Sequence, residues 1–96
     1  MQKTENGKKF DSSAYAYVGD PDKVTTWKVR LEKSPGKVTF AQLGRAAATL
    51  SKEGYRGDPL DVPDEAKAKI RKRIRAEYEK LGVASRDMSE EVRDSE

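Results

Sequence analysis

The stretch Ala14-Tyr-Ala-Tyr-Val-Gly-Asp-Pro-Asp-Lys-Val-Thr-Thr-Trp-Lys-Val-Arg-Leu31 decides the fold, because it holds the sole tryptophan, two of the four tyrosines and both strand-like runs of the chain. Ala14, Ala16 and Val18 alternate with Tyr15 and Tyr17, a two-residue period that places small apolar groups on one face of a strand and aromatic rings on the other. Thr25 to Leu31 repeats the period, with Trp27, Val29 and Leu31 on one face and Thr26, Lys28 and Arg30 on the other. Between the two runs, Gly19-Asp20-Pro21-Asp22 is a turn by mechanism: Pro21 fixes φ, and the Asp carboxylates can accept from nearby backbone N–H groups. The connection is too long for a two-residue hairpin, so an open loop is expected. Burial of Trp27, Tyr15 and Tyr17 removes about 150–250 Å² each from water, which makes them the seed of the core.

Towards the N-terminus, residues 1–12 are polar apart from Met1 and Phe10, and they read as a flexible arm with a turn signal at Asn6-Gly7. Towards the C-terminus, Ser34-Pro35-Gly36 marks a second turn within Glu32 to Lys37. Thr39 and Gln42 fit a capping box at the start of a first helix, in which Phe40, Leu43, Ala47 and Leu50 recur at helical spacing and which is expected to end near Gly54. Tyr55, Leu60 and Val62 anchor the loop that follows. A second helix opens at Pro63 or Asp64 and stops at Gly82, with an apolar stripe of Ala66, Ile70, Ile74, Tyr78 and Leu81. The expected domain spans residues 13–83, and residues 84–96 read as a disordered acidic tail with Met88 and Val92 as weak anchors. The expected fold is α+β: a small two- or three-stranded antiparallel sheet packed by two helices. Its core is Trp27, Tyr15, Tyr17, Val29, Leu31, Phe40, Leu43, Leu50, Ile70, Ile74 and Leu81.

Composition narrows the function. With 34% hydrophobic and 39% charged residues in 96, the core is thin. The absence of His and Cys removes the commonest general base, the thiol nucleophile and nearly every zinc arrangement. Asp20, Asp22, Asp58 and Asp61 flank turns, where carboxylates bond their own backbone, and the glycines form no nucleotide-binding fingerprint. No enzymatic activity, cofactor or metal is therefore expected. Arg56-Gly57-Asp58 spells a cell-adhesion tripeptide, a match short enough to arise by chance. No apolar run is long enough to span a membrane and no signal-peptide core is visible, so a cytoplasmic setting is expected.

Charge is unevenly placed. Residues 64–81 carry a net +3 and residues 82–96 a net −3. The candidate binding face is Lys67, Lys69, Arg71, Lys72 and Arg75 on the second helix, with Arg45 or Arg56 added from neighbouring elements. Three uses are open for it: a solvated face with ion pairs such as Arg73 with Glu77, a nucleic-acid backbone, or an acidic protein segment such as the chain's own tail.

Tyr15-Ala16-Tyr17-Val18-Gly19-Asp20-Pro21, then Thr26-Trp27-Lys28-Val29-Arg30-Leu31, then Ala41-Gln42-Leu43-Gly44-Arg45-Ala46-Ala47-Ala48 and a basic helix follow in an order that resembles a small uncharacterised domain of tailed phages and prophages. The similarity covers roughly Ser13 to Val83. Val24 stands where that family often has Pro, which loosens the match at the loop and spares the strand. The resemblance implies a place beside prohead protease and capsid genes and brings no catalytic residues with it. It implies a non-enzymatic accessory protein, a protein-interaction module of virion assembly in the host cytoplasm or on the virion, whose partner is a phage structural or assembly protein. The alternative is a small basic nucleic-acid-binding domain that uses the helix face of residues 64–81.

Overall fold

The structure, a computed structural model, describes residues 2–51 and 60–93. Residues 2–11, expected within a flexible arm, form an antiparallel hairpin of β1 (Gln2–Glu5) and β2 (Lys8–Asp11). Asn6 and Gly7 take φ of 52° and 76°, the paired positive values that a tight hairpin turn demands and that Asn-Gly adopts with little strain. Docking of this ribbon relies mostly on polar residues. Phe10 is buried, but Lys3 Nζ donates to the Trp27 carbonyl at 3.0 Å and lies 5.3 Å from the Tyr15 ring centre. An otherwise hydrophilic segment is thus held without an apolar stripe.

A 310 turn at Ser12–Ala14 leads into β3 (Tyr15–Val18), which pairs antiparallel with β4 (Trp27–Arg30). The intervening loop has the expected turn chemistry. The Asp20 carboxylate accepts from the Asp22 N–H at 2.9 Å, the Thr26 hydroxyl donates to the Lys23 carbonyl at 2.7 Å, and the Trp27 indole N–H donates to the Asp20 carbonyl at 3.1 Å. In the ladder Tyr15 faces Arg30, Tyr17 faces Lys28 and Val18 faces Trp27. Within β4, Val29 takes φ of 63°, a left-handed conformation rare for a β-branched residue, while the ladder keeps the same register on both sides of it.

The face expected to carry Trp27, Val29 and Leu31 together is divided between two clusters. Trp27 packs with Phe10, Ala14 and Tyr15 in one cluster, while Val29 and Leu31 join Leu43, Ile70, Ile74 and Tyr78 in a second, larger one. Tyr17 and Leu50, expected in the core, are half-buried against the larger cluster. β5 (Glu32–Ser34) and β6 (Lys37–Val38) form a third ribbon around Pro35-Gly36, where the sequence shows only the turn. The fold is α+β, and among the described residues there are two helices and three two-stranded antiparallel sheets.

Helix α1 (Phe40–Ala48) realises half of the expected capping box. Thr39 Oγ1 accepts from the Gln42 N–H at 3.2 Å, but the Gln42 side chain donates to the Arg30 carbonyl at 3.0 Å instead of reaching back to Thr39. The helix ends at Ala48 rather than near Gly54, which lies outside the described residues. The Thr49 and Ser51 hydroxyls donate to the Ala46 and Ala48 carbonyls at 2.6 and 2.9 Å, local bonds that compete with helix continuation. Helix α2 (Asp64–Lys80) starts after Pro63 and stops as expected at Gly82, whose φ is 78°. The Gly82 and Val83 N–H groups bond the Glu79 and Tyr78 carbonyls, both at 3.0 Å, in a Schellman motif.

Two residues expected in the core are not there: Phe40 is 54% exposed and Leu81 42%. Glu77 takes the buried place in the last turn of α2, with its carboxylate 3.0 Å from Arg73 Nε and 3.5 Å from Lys80 Nζ. The described part of the tail is also corrected. Residues 84–93 run through a short 310 turn at Ser85–Asp87 and seat Met88 and Val92 in the larger cluster, where Val92 is wholly buried. No helix among the described residues is long and apolar enough to cross a membrane.

Candidate functional site

Of the basic residues singled out in the sequence and described in the structure, Lys69, Arg71, Lys72, Arg75 and Arg45 line different grooves. Lys67 is half-buried, and Lys69 lines a groove towards β3 with Ala16, Tyr17 and Val18. Arg71, Lys72 and Arg75 line a second groove with Ala68, Ala76 and Glu79, as their three- and four-residue spacing on α2 requires. Arg71 is already engaged, donating to the carbonyls of Glu91 at 3.1 Å and Arg93 at 2.8 Å. The described part of the C-terminal segment docks beside α2 through the main-chain oxygens of Glu91 and Arg93 and the apolar anchors Met88 and Val92. Arg56 lies outside the described residues.

Arg45 belongs to a different place. It lines an open cleft of about 620 Å³ with Glu5 and Asn6 of the first hairpin, Val29 and Arg30 of β4, and Gln42 of α1. Gln42 is the hinge of this cleft: its amide N–H₂ holds the Arg30 carbonyl, and its amide oxygen accepts from Arg45 Nη1 at 3.4 Å. On the cleft wall the Glu5 carboxylate accepts from the Tyr15 hydroxyl and stands 3.7 Å from Arg30 Nη1. Burial pushes the Tyr15 phenol well above its ordinary value, and the hydrogen bond to Glu5 adds to the rise. The Arg30 guanidinium lies 4.8 Å from the Phe10 ring centre, and its Nε is buried with no hydrogen-bond partner among the described residues.

Sequence reasoning missed Glu5, Arg30 and Gln42. Arg30 alternates with buried residues and so reads as a solvent-facing strand position, and Gln42 reads as a cap. Val29 lines the same cleft, and nothing in the sequence signals its positive φ. Elsewhere, Phe40 packs edge-on against Tyr78 with ring centres 5.6 Å apart while leaving over half its surface open, and Leu81 follows Tyr78 by one helical turn.

No family model, curated protein or solved structure matches the chain. The protein stands as a small α+β domain whose surfaces have to be read on their own chemistry.

Proposed function

We propose that this chain is a non-enzymatic protein-interaction module that serves virion assembly in a tailed phage or prophage, acting in the host cytoplasm or on the virion. The observation that carries the reading is the exposure of Phe40 and Leu81 around Tyr78 in a chain with few large apolar residues. Large side chains left open beside a buried ring suit a protein partner, whose interface core is apolar and aromatic, better than a phosphate backbone. The motif order of residues 13–83 supplies the setting, and the lack of His and Cys agrees with a task without catalysis. The experiment is affinity purification of the tagged full chain from phage-producing cells. Capsid or scaffold components should copurify, and Phe40→Ser with Leu81→Ser should weaken capture about 30-fold, the effect of losing an anchor worth about 2 kcal/mol. Normal virions and assembly after deletion of the gene refute the proposal.

A second reading, nucleic-acid binding, draws on the grouping of Arg71, Lys72 and Arg75 in one groove of α2. Each phosphate neutralised in this groove would contribute about −0.9 to the slope of log K against log salt on duplex DNA, with little sequence preference. A salt-series titration of the full chain, followed by NMR shifts at residues 67–75, tests it. Absence of shifts there at low salt eliminates it. Removing residues 84–96 is a poor test, because it strips Met88 and Val92 from the core along with the acidic charges.

A further inference from the structure

We infer that the cleft between the first hairpin, β4 and α1 binds a carboxylate of an acidic protein segment between Arg30 and Arg45. The inference rests on the protein-interaction reading and adds a second, polar contact site to the apolar one at Phe40 and Leu81. Three observations converge on it. Two guanidinium groups line one open cleft, and neither is saturated: Arg45 has an exposed side chain whose bond to Gln42 is long at 3.4 Å, and Arg30 has a buried, unpartnered Nε and a carboxylate neighbour at 3.7 Å, beyond hydrogen-bond length. The wall is built rather than incidental. Gln42 ties the Arg30 main chain to the Arg45 side chain, and Val29 holds a left-handed backbone, of a kind that persists only where surrounding structure enforces it.

Charge then selects the ligand. Arg30 and Arg45 against Glu5 leave the cleft one positive charge, which a single carboxylate balances. A doubly charged phosphate would meet the Glu5 carboxylate, which is itself anchored by the Tyr15 hydroxyl and cannot swing away without breaking that bond. Planar carboxylate matches the guanidinium fork in geometry, and a charge-assisted bond to each arginine fixes its orientation. Asn6, exposed in the first hairpin's turn, also lines the cleft and adds backbone polar groups beside the two arginines.

The test uses the full chain, ¹⁵N-labelled, with the arginine Nε–H resonances and the Gln42 side-chain amide followed during titration. The probes are a blocked peptide of alternating Asp and Glu, its Asn/Gln counterpart, and inorganic phosphate. The acidic peptide should shift the Arg30, Arg45 and Gln42 side-chain signals saturably, the neutral peptide should leave them in place, and phosphate should bind more weakly than the acidic peptide. Arg45→Ala should weaken acidic-peptide binding about tenfold, the loss of one charge-assisted bond, and Arg45 is exposed enough for the variant to fold. Lys33→Ala, at an exposed position of β5 outside the cleft, should leave the affinity unchanged. Equal binding by Arg45→Ala, an equal loss in Lys33→Ala, or tighter binding of phosphate than of the acidic peptide overturns the assignment. A virion partner captured undiminished by Arg45→Ala defeats this inference alone, whereas peptide binding without any captured partner defeats the assembly reading alone.

Discussion

Val92→Ala separates two views of the C-terminal segment. Charge and composition describe a solvated acidic tail, while the structure buries Val92 completely among Ile70, Ile74 and Tyr78 and reinforces the contact with Arg71 on the Glu91 and Arg93 carbonyls and with a 2.9 Å bond between the Tyr78 and Ser89 hydroxyls. Replacing Val by Ala removes two buried carbons, about 0.8 kcal/mol each in transfer free energy. Incomplete collapse around the void adds a cavity cost and brings the loss to about 2 kcal/mol. Against a total of about 5–15 kcal/mol for a domain, that is a large fraction.

For a chain of this length the loss corresponds to a fall of about 10 °C in Tm. Trp27 is the natural reporter, since it lies in the other cluster and does not touch the substituted site directly. If the segment belongs to the cooperative unit, the Trp27 fluorescence transition and the far-UV circular dichroism transition should move down together. An unchanged Trp27 transition, within about 2 °C, would mean that the segment detaches independently and that the sequence-based description of a tail is the better one.

Trp27→Ala should cost about 3–5 kcal/mol by equilibrium urea unfolding, because it empties the centre of the smaller cluster and removes one of the three hydrogen bonds to the Asp20 carbonyl. Val29→Gly should be more stable than Val29→Ala by about 1 kcal/mol, although it removes more apolar surface, since glycine accepts positive φ freely; the reverse order would show that β4 relaxes to ordinary strand geometry. Tyr15→Phe tests linkage. The folded-state pKa of Tyr15 is raised above its unfolded value of 10.0, so its contribution is complete below that value and is lost as pH rises above it. Wild type should therefore lose more stability between about pH 7 and about pH 11 than Tyr15→Phe does, as measured by urea unfolding at both values.

What was legible in the sequence was what local chemistry dictates. Gly82 and Thr39 mark helix ends through bonds made within a few residues, and Asp20-Pro21-Asp22 folds its own turn. The α2 stripe locates Ile70, Ile74 and Tyr78, but periodicity gives a direction and not the extent of whatever covers it. Leu81 and Phe40 lie on the correct faces yet at the margin of the covered area, and Glu77 is buried because Arg73 and Lys80 neutralise it. The first hairpin was hidden for the opposite reason. Its Asn-Gly turn was visible, but its docking depends on Lys3 and Glu5 finding partners 24 and 10 positions away, information that no window of alternating hydrophobicity contains.

The candidate site was the least legible part, because Trp27, Val29 and Arg30 of β4 and the adjoining Leu31 meet different neighbours. Trp27 seats the hairpin cluster, Val29 and the adjoining Leu31 seat the helices, and Arg30 offers its side chain to Glu5 and its carbonyl to Gln42. A regular strand with a strict two-residue period would have sent Trp27 and Val29 into the same core and left no reason for the cleft. The left-handed turn of the backbone at Val29 is what divides them. Its cost, of the order of 1–3 kcal/mol, is borne by two cores that each hold one side of the strand, so a change that frees either core should relax Val29 and close the space between Arg30 and Arg45. The cleft and the division of the core are then one feature of the fold, and binding at the arginines should respond to substitutions at Trp27 or Leu43 that never approach the ligand.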